Sequence, residues 1–294
     1  MNKSAVGSRR SAVEEAPATP SWLGGVYCRP PTADRRLPTA DYTRGAMFPT
    51  VPPPPQRLLV FARLPELGKV KTRLAAEVGP ERALEVYESM LRDLIAAIGT
   101  STSDLEIEVM WPPTPIATGE TLRRAFGPHS LAIQTGTDLG DRLSMALSER
   151  FFFHRTEKIV VIGVDDPSLT RELIDRAFSL LESCEYVLGP ATDGGYYLIG
   201  CRALAYDPSV FLGIDWGTPA VLTTTMARIA DLGRTVALLP EHYDIDTAAD
   251  LERHLKRVGG RQSAVGSGTT TQTTERRMAS GASSTADRRL PTAD

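Results

Sequence analysis

The chain has 294 residues and a formal net charge of −3, with 22 prolines, 24 glycines and 3 cysteines. This length fits one globular domain with tails, or two small domains. No apolar run approaches the roughly 18 residues of a membrane-spanning helix, and the N-terminus lacks the apolar stretch of a secretory signal. Cys28, Cys184 and Cys201 are an odd number at wide spacing, unlike a disulfide framework or a zinc site, so we expect reduced thiols in a cytoplasmic protein.

Charge is distributed unevenly along the chain. Residues 57–257 hold 21 basic and 29 acidic side chains, whereas both tails are mildly basic. Proteins that bind duplex nucleic acid neutralise phosphates with an excess of lysine and arginine. The sequence therefore predicts no nucleic-acid partner, and any polyanion bound here should be small or accompanied by a metal ion.

Both ends of the chain have the composition of disordered tails. Residues 1–56 contain ten of the 22 prolines, and residues 258–294 are rich in glycine, serine and threonine. Such segments bury too little apolar surface to offset their ordering entropy. The segment TADRRLPTAD occurs at 32–41 and at 285–294, which indicates a duplicated low-complexity end segment or a peptide docking tag. We predict one folded domain over 57–257.

Short apolar runs alternate with amphipathic stretches inside that domain. The predicted strands are Leu58–Phe61, Leu105–Met110, Ile159–Val164, Tyr186–Leu188 and Val236–Leu239. The predicted helices are Glu81–Ile98, Leu139–Phe152, Arg171–Leu181, Ala220–Ala230 and Thr247–Lys256. Alternation of buried strands with helices predicts an α/β protein, a three-layer α/β/α sandwich that binds ligands at the carboxyl ends of its strands.

A basic loop follows the first predicted strand, in the segment FARLPELGKVKTRL at 61–74. It carries four cations, Arg63, Lys69, Lys71 and Arg73, together with Gly68. Backbone amides and basic side chains in such a loop can bind a diphosphate. Val70 after Gly68-Lys69 excludes a P-loop. A solvated basic loop is the alternative interpretation.

Two aspartates end the most apolar strand, in GVDDPSLT at 163–170. A carboxylate at a strand's carboxyl end, followed by proline, projects into the ligand crevice, and Mg²⁺ and Mn²⁺ prefer such oxygen ligands. Asp165 is therefore a candidate metal ligand, unless it only caps the next segment. Asp166 is either a second ligand or a turn residue that accepts hydrogen bonds from local amides.

The segment GPATDGGYYLIG at 189–200 contains the turn Asp193-Gly194-Gly195 between two apolar runs. An Asp-Gly pair in this context is typical of a hairpin turn. The alternative is functional: the glycines admit a ligand close to the backbone, and Asp193 accepts a hydrogen bond from a hydroxyl or ammonium group.

The last two motifs are DWGTP at 215–219 and HYDIDTAADL at 242–251. Trp216 and Thr218 lie in a predicted irregular loop before a helix. Thr247 is a predicted N-cap with Asp250 completing a capping box, which leaves Asp244 and Asp246 unexplained, so one of them could supply a second metal carboxylate. The histidines (129, 154, 242 and 254) form no recognisable hydrolase or zinc motif.

Six motifs in this order resemble one known family: FARxPxxGKxKTRL, QTGTDLGDRL at 134–143, GxDxP at 163–167, GPATDGGYYLIG, WGTP and DIDT. The chain is similar, over about 57–256, to the GT-A-like glycosyltransferases associated with arsenosugar biosynthesis, formerly a domain of unknown function. It is more distantly similar to 2-phospholactate guanylyltransferase, molybdenum-cofactor guanylyltransferase and the sugar-activating cytidylyltransferases. Asp166 and Gly217 depart from the family's usual residues.

The resemblance implies a GT-A nucleotide-diphospho-sugar transferase fold with a mixed, mostly parallel sheet. By position, it assigns nucleotide phosphate binding to the basic loop (Arg63, Gly68, Lys69, Lys71, Thr72 and Arg73). It makes Asp165 and Asp246 the ligands of Mg²⁺ or Mn²⁺. Asp193 and Asp165 become the catalytic carboxylates, and the acceptor side comprises Gly194, Gly195, Trp216 and Thr218.

Two reactions fit this arrangement, since both require charge neutralisation on a departing phosphate. Attack at an anomeric carbon transfers a glycosyl group from a nucleotide sugar to a small acceptor, and the family resemblance favours this reaction. Attack at the α-phosphorus of an NTP transfers a nucleotidyl group and releases pyrophosphate. A non-catalytic nucleotide-binding module is a third hypothesis, which the retention of both Asp165 and Asp246 disfavours.

Overall fold

The computed structural model describes residues 55–266, with side chains to residue 257. The strands of this part are β1 Gln56–Phe61, β2 Leu105–Trp111, β3 Ser130–Ile133, β4 Lys158–Ile162, β5 Tyr186–Pro190, β6 Tyr196–Arg202 and β7 Val236–Leu238. Its α-helices are α1 Thr72–Val78, α2 Pro80–Ile98, α3 Gly119–Phe126, α4 Leu139–Phe152, α5 Arg171–Leu180, α6 Val221–Asp231 and α7 Ala248–Gly266. The chain divides into two compact units, 1–251 and 252–294.

The strands form one sheet in the order β3-β2-β1-β4-β6-β5-β7. Strand β6 is antiparallel to both of its neighbours, β4 and β5, whereas the other pairs are parallel. The carboxyl ends of β1, β2, β3 and β4 therefore meet at one edge. This mixed, mostly parallel sheet confirms the predicted fold class, and it brings the segments after β1 and β4 side by side.

Two apolar cores lie on the two faces of the sheet. Alternate residues of the central strands enter opposite cores: Leu58 and Val60 lie in one, and Leu59 in the other. The first core receives side chains from α1, α2, α3 and α5, and the second from α4 and α6. A strand covered on both faces has a continuous apolar sequence. This explains why IVVIGV at 159–164 could be predicted as a buried strand, which is β4.

The predicted strands and helices are all present, with ends that shift by a few residues. Strand β3 was missed because its four residues are half-buried or exposed, and helices α1 and α3 because each has one buried residue, Leu74 and Phe126. Strand β6 was noticed as an apolar run but not assigned. The predicted tails lie outside the described residues, except that β1 begins at Gln56 and α7 continues to Gly266, so each tail boundary was placed inside a regular element.

Two expectations from composition have different outcomes. None of the described helices combines the length and apolarity needed to cross a bilayer. Cys201 is a buried free thiol, but Cys184 is disulfide-bonded, so the expectation of reduced thiols is wrong at that position. Pairing depends on which segments the fold brings together, and the spacing of three cysteines does not reveal this. Cys28 lies outside the described residues.

Candidate functional site

The basic loop is held at the end of β1 by buried side chains. Leu64 and Val70 are buried, and the hydroxyl of Tyr87 on α2 both accepts from the backbone nitrogen of Arg63 at 2.8 Å and donates to its carbonyl at 2.9 Å. Burial raises the pKa of the Tyr87 phenol, so the hydroxyl remains a donor. Arg63, Lys69 and Arg73 are exposed. The loop thus has an anchored backbone and three exposed cationic side chains.

Lys71 differs from the other cations of the loop. Its side chain is 3% exposed, and its ammonium lies 2.6 Å from Asp165 Oδ1 and 3.1 Å from Asp246 Oδ1. Burial by itself lowers the pKa of Lys71, but the interactions with Asp165 and Asp246 outweigh it and raise the pKa above its ordinary value. Lys71 is therefore charged and joins three loops that are distant in sequence.

Asp165 and Asp246 lie together, as the sequence predicted. Two oxygen atoms that bind one nitrogen at 2.6 and 3.1 Å are less than about 6 Å apart, close enough for one divalent ion to reach both. The backbone nitrogen of Ile245 also donates to the carbonyl of Asp165 at 3.1 Å, which fixes the two loops to each other. Arg73 lies 3.6 Å from the second oxygen of Asp246.

Asp244 is a third carboxylate beside this pair. Its Oδ1 atom is buried and has no hydrogen-bond partner among the described residues. Burial, and then the charge of Asp165, raise the pKa of Asp244 to about 7. Sequence reasoning singled out Asp244 and Asp246 together as carboxylates unexplained by capping, but assigned a role only to Asp246.

These residues surround a cavity of about 440 Å³ at the carboxyl edge of the sheet, a volume within the range of small-molecule sites. The predicted residues that line it are Arg63, Lys69, Lys71, Thr72, Arg73, Asp165 and Asp246. Gly68 does not line the cavity. It has φ +73° and supports the turn in which Lys69 N donates to Glu66 O, so its role is in the shape of the loop.

Gln134 lines the same cavity and was missed as a site residue. It opens the motif QTGTDLGDRL, and its side chain is 7% exposed. Its amide nitrogen donates to Met110 O at 2.8 Å and Ala62 O at 3.4 Å, at the ends of β2 and β1. Because Nε2 of Gln134 donates to both carbonyls, its Oε1 is the side-chain atom that can accept a hydrogen bond from a ligand. The motif's Asp138 caps α4 by accepting from Asp141 N at 2.8 Å.

Asp166 has a different role from Asp165. One oxygen accepts from the backbone nitrogen and hydroxyl of Ser168, at 2.8 and 2.6 Å, and the other lies 2.6 Å from His242 Nδ1. Both oxygens accept hydrogen bonds, and those from Ser168 confirm the turn role, whereas the alternative that Asp166 is a second metal ligand stays a prediction. His242 was missed because a search for nucleophile or zinc motifs does not detect a pairing between distant loops.

The predicted acceptor residues form a second group beside the cavity rather than in its wall. Asp193 accepts from Gly195 N at 2.9 Å, as in a turn between antiparallel strands, which here are β5 and β6. A Cβ added to Gly194 would lie 2.3 Å from Pro219 O, so this turn packs tightly against the 215–219 loop. Trp216 contacts Tyr196, which lines the cavity, edge-on with ring centroids 6.3 Å apart.

The carboxylate pair has the chemistry of a magnesium or manganese site. Asp165 and Asp246 supply hard oxygen ligands that converge on a point already held by a cation, the ammonium of Lys71. Asp244 lies near this pair, since the charge of Asp165 raises its pKa. Its buried Oδ1 has no hydrogen-bond partner among the described residues. Within the described range, no group of three or more histidine, cysteine or acidic residues has metal-binding geometry, so water or phosphate oxygens must complete any coordination.

Comparisons with known proteins give concordant results. Residues 100–218 match the family model described as "Uncharacterized protein conserved in bacteria (DUF2064)". A crystal structure named "putative nucleotide-diphospho-sugar transferase", from Desulfovibrio desulfuricans G20, is 33% identical with a TM-score of 0.66, covering 71% of this chain and 90% of its own. Comparison with curated proteins gives no match.

Two further solved structures match at lower similarity. The inositol-1-phosphate CTP transferase of T. maritima is 15% identical, with a TM-score of 0.44 and coverage of 74% and 98% of the two chains. A Mycobacterium tuberculosis H37Rv protein solved in complex with manganese is 15% identical, with a TM-score of 0.42 and coverage of 68% and 98%.

Proposed function

Because the chain belongs to the same family as the 33% identical nucleotide-diphospho-sugar transferase, and residues 100–218 match the DUF2064 model, we propose that it is a metal-dependent transferase with a nucleotide-activated donor. The favoured reaction is glycosyl transfer from a nucleotide sugar to a small acceptor. One observation carries the proposal: Asp165 and Asp246 converge on a cation beside exposed Arg63, Lys69 and Arg73 in one cavity. That arrangement suits a diphosphate bound through a divalent ion.

In the proposed reaction, an acceptor atom attacks the anomeric carbon while the bond from that carbon to the β-phosphate oxygen breaks. The departing phosphate takes the electron pair, and the acceptor releases its proton. Mg²⁺ or Mn²⁺, when bound, supplies Lewis-acid stabilisation of that phosphate. Asp165 and Asp246 hold the ion, and Arg63, Lys69 and Arg73 orient the diphosphate by fixed charge. Asp193, in the turn next to the 215–219 loop, contacts the acceptor.

Nucleotidyl transfer is the second candidate, and a specific observation favours it. A smaller cavity of about 240 Å³ adjoins the first and shares Arg63, Lys69 and Pro112 with it. Its other walls include Glu66 and the segment Pro112–Pro115. Two cations that face both cavities provide room and positive charge for a longer polyphosphate, as in an NTP that loses pyrophosphate.

The test is incubation of the full chain with Mg²⁺ or Mn²⁺ and a panel of nucleotide sugars and NTPs, with EDTA controls. Release of a nucleoside diphosphate from a nucleotide sugar supports glycosyl transfer. Release of pyrophosphate from an NTP supports nucleotidyl transfer. Metal-dependent nucleotide binding without either product would contradict the proposed activity and favour a binding module.

A further inference from the structure

Lys71 combines three properties that a simple phosphate-binding lysine does not need. Its side chain is almost completely buried, its ammonium contacts both candidate metal carboxylates, and its backbone lies in the left-handed region with φ 46° and ψ 48°. A non-glycine residue is strained there and stays only when its surroundings hold it. The backbone is held by Ala75 N, which donates to Lys71 O at 2.8 Å, and the ammonium is held by Asp165 and Asp246.

The ammonium also stands where a shared ion would bind. A divalent ion bridging Asp165 and Asp246 must lie between their oxygens, at about 2.0–2.6 Å from each. The nitrogen of Lys71 occupies this space at 2.6 and 3.1 Å. Two cations in contact repel strongly in a partly buried site, so the ion and Lys71 cannot both occupy it.

Charge balance indicates what happens to Lys71 when an ion binds. Asp165 and Asp246 together carry two negative charges, and Lys71 and Arg73 already match them. A divalent ion added alone leaves an excess of positive charge in the cavity, because both side chains remain nearby. A nucleotide diphosphate supplies the missing negative charge, and the exposed Arg63 and Lys69 mark its position next to Lys71.

We propose that Lys71 holds the divalent-cation position in the free protein, so that the ion binds tightly only together with a nucleotide phosphate that takes over the lysine. The ammonium leaves the carboxylates and pairs with the phosphate while the ion takes its place. This inference rests on the proposed function and specifies the bound species as a metal–nucleotide complex. Because coupling between two ligands is reciprocal, the ion must also strengthen nucleotide binding by the same factor.

The experiment measures Mn²⁺ affinity of the full chain by electron paramagnetic resonance, alone and with saturating ADP, CDP, GDP or UDP. For the wild type, we expect Mn²⁺ alone to bind at least about tenfold more weakly than with the preferred nucleotide. In Lys71→Met, Mn²⁺ alone should bind about tenfold more tightly than to the wild type, and the nucleotide should add little. Lys158→Met removes a lysine charge at the first residue of β4, which pairs with Glu182 and does not line the cavity, so Mn²⁺ alone should bind it within about twofold of the wild type.

Three results would overturn the proposal. One is equal Mn²⁺ affinity of Lys71→Met and the wild type. Another is a similar gain in Lys158→Met, which would show a general charge effect. The third is wild-type Mn²⁺ binding that no nucleotide changes, and this remains decisive if Lys71→Met fails to fold. If one of these results appears and the protein still shows metal-dependent turnover, only the inference about Lys71 fails and the proposed transferase function stands. If Mn²⁺ binds in the expected pattern but no turnover is found, the proposed transferase function fails and the inference about Lys71 stands.

Discussion

Nδ1 of His242 lies 2.6 Å from Oδ2 of Asp166, and this contact joins the loop after β4 to the loop before α7. The His242 ring stacks on Tyr197 with centroids 4.5 Å apart, and its backbone pairs with Pro190 and Thr192 at the end of β5. The pair therefore connects the three segments that carry Asp165, Asp193 and Asp246.

Asp166→Ala removes the acceptor shared by Ser168 and His242. Unpaired buried donors cost about 1–3 kcal/mol, so we expect a loss of about 2–3 kcal/mol in urea unfolding. Displacement of Asp165 and Asp246 should also lower metal affinity about 10-fold to 100-fold. The matched control is Asp175→Ala, which removes an exposed ion pair with Arg171. It should change the free energy of unfolding and the metal affinity only slightly. Unchanged metal affinity in Asp166→Ala would show that the pair does not position the carboxylates.

Asp165→Asn tests the candidate metal ligand directly. The replacement keeps the shape of the side chain but removes the negative charge, so metal-dependent turnover should fall by about 100-fold or more. Asp165 is 53% exposed, and the melting temperature should stay within a few degrees. Full turnover in this variant would remove Asp165 from the metal site.

Glu108 lies in the middle of β2, between two buried arginines. Its carboxylate lies 3.2 Å from Arg57 and 2.7 Å from Arg150. Glu108→Gln leaves two buried charges without their partner, for which we expect a loss of about 3–5 kcal/mol in denaturant unfolding. Glu85→Gln breaks an exposed pair with Arg82 and should cost less than about 1 kcal/mol.

The same carboxylate predicts how stability depends on acid. Burial raises the pKa of Glu108, but the interactions with Arg150 and Arg57 outweigh this and hold it below its ordinary value. The stabilisation is therefore present above the unfolded pKa of about 4.3 and is lost as pH falls through the lower, folded pKa. In melting curves recorded between pH 7 and pH 3, the melting temperatures of Glu108→Gln and the wild type should become more similar as pH falls. A constant difference would contradict this.

Asp244 predicts the opposite pH dependence. Its pKa is raised to about 7, mainly by burial and then by Asp165, so the folded protein favours its neutral form. The resulting stabilisation is present below the unfolded pKa of about 3.9 and is lost as pH rises through about 7. In EDTA, Asp244→Asn should therefore be more stable than the wild type at pH 8, by about 1–3 kcal/mol, and this difference should shrink as pH falls and be nearly absent at about pH 4. Asp231→Asn, at an exposed site, should show no such difference.

Gly194 and Gly213 form a matched pair for testing the contact with the 215–219 loop. Both have positive φ, at +89° and +66°, so alanine strains the backbone at either site. A Cβ at Gly213 meets no atom within 4 Å, whereas one at Gly194 would lie 2.3 Å from Pro219 O. We expect Gly213→Ala to cost about 1 kcal/mol, and Gly194→Ala to cost more and to raise the KM for the acceptor. Equal losses would show that the turn can move away from Pro219.

The candidate site could be predicted unevenly from the sequence. Asp165 and the basic loop were recognisable because strand-end position and clustered charge are local signals. Asp246 came from the family resemblance, since capping explained only Thr247 and Asp250, whose mutual hydrogen bonds confirm the capping box. His242, Gln134 and Tyr87 carry no local signal, because each acts through a partner at least 24 residues away.

The sequence by itself determined the alternation of buried strands and amphipathic helices, because side-chain periodicity and helix caps are properties of neighbouring residues. It also determined which loops carry the charges. Only the tertiary structure decided that β6 runs antiparallel beside β4, that Asp166 pairs with His242, and that the ammonium of Lys71 lies between Asp165 and Asp246. Those relationships depend on the order of strands in the sheet, which no local pattern encodes.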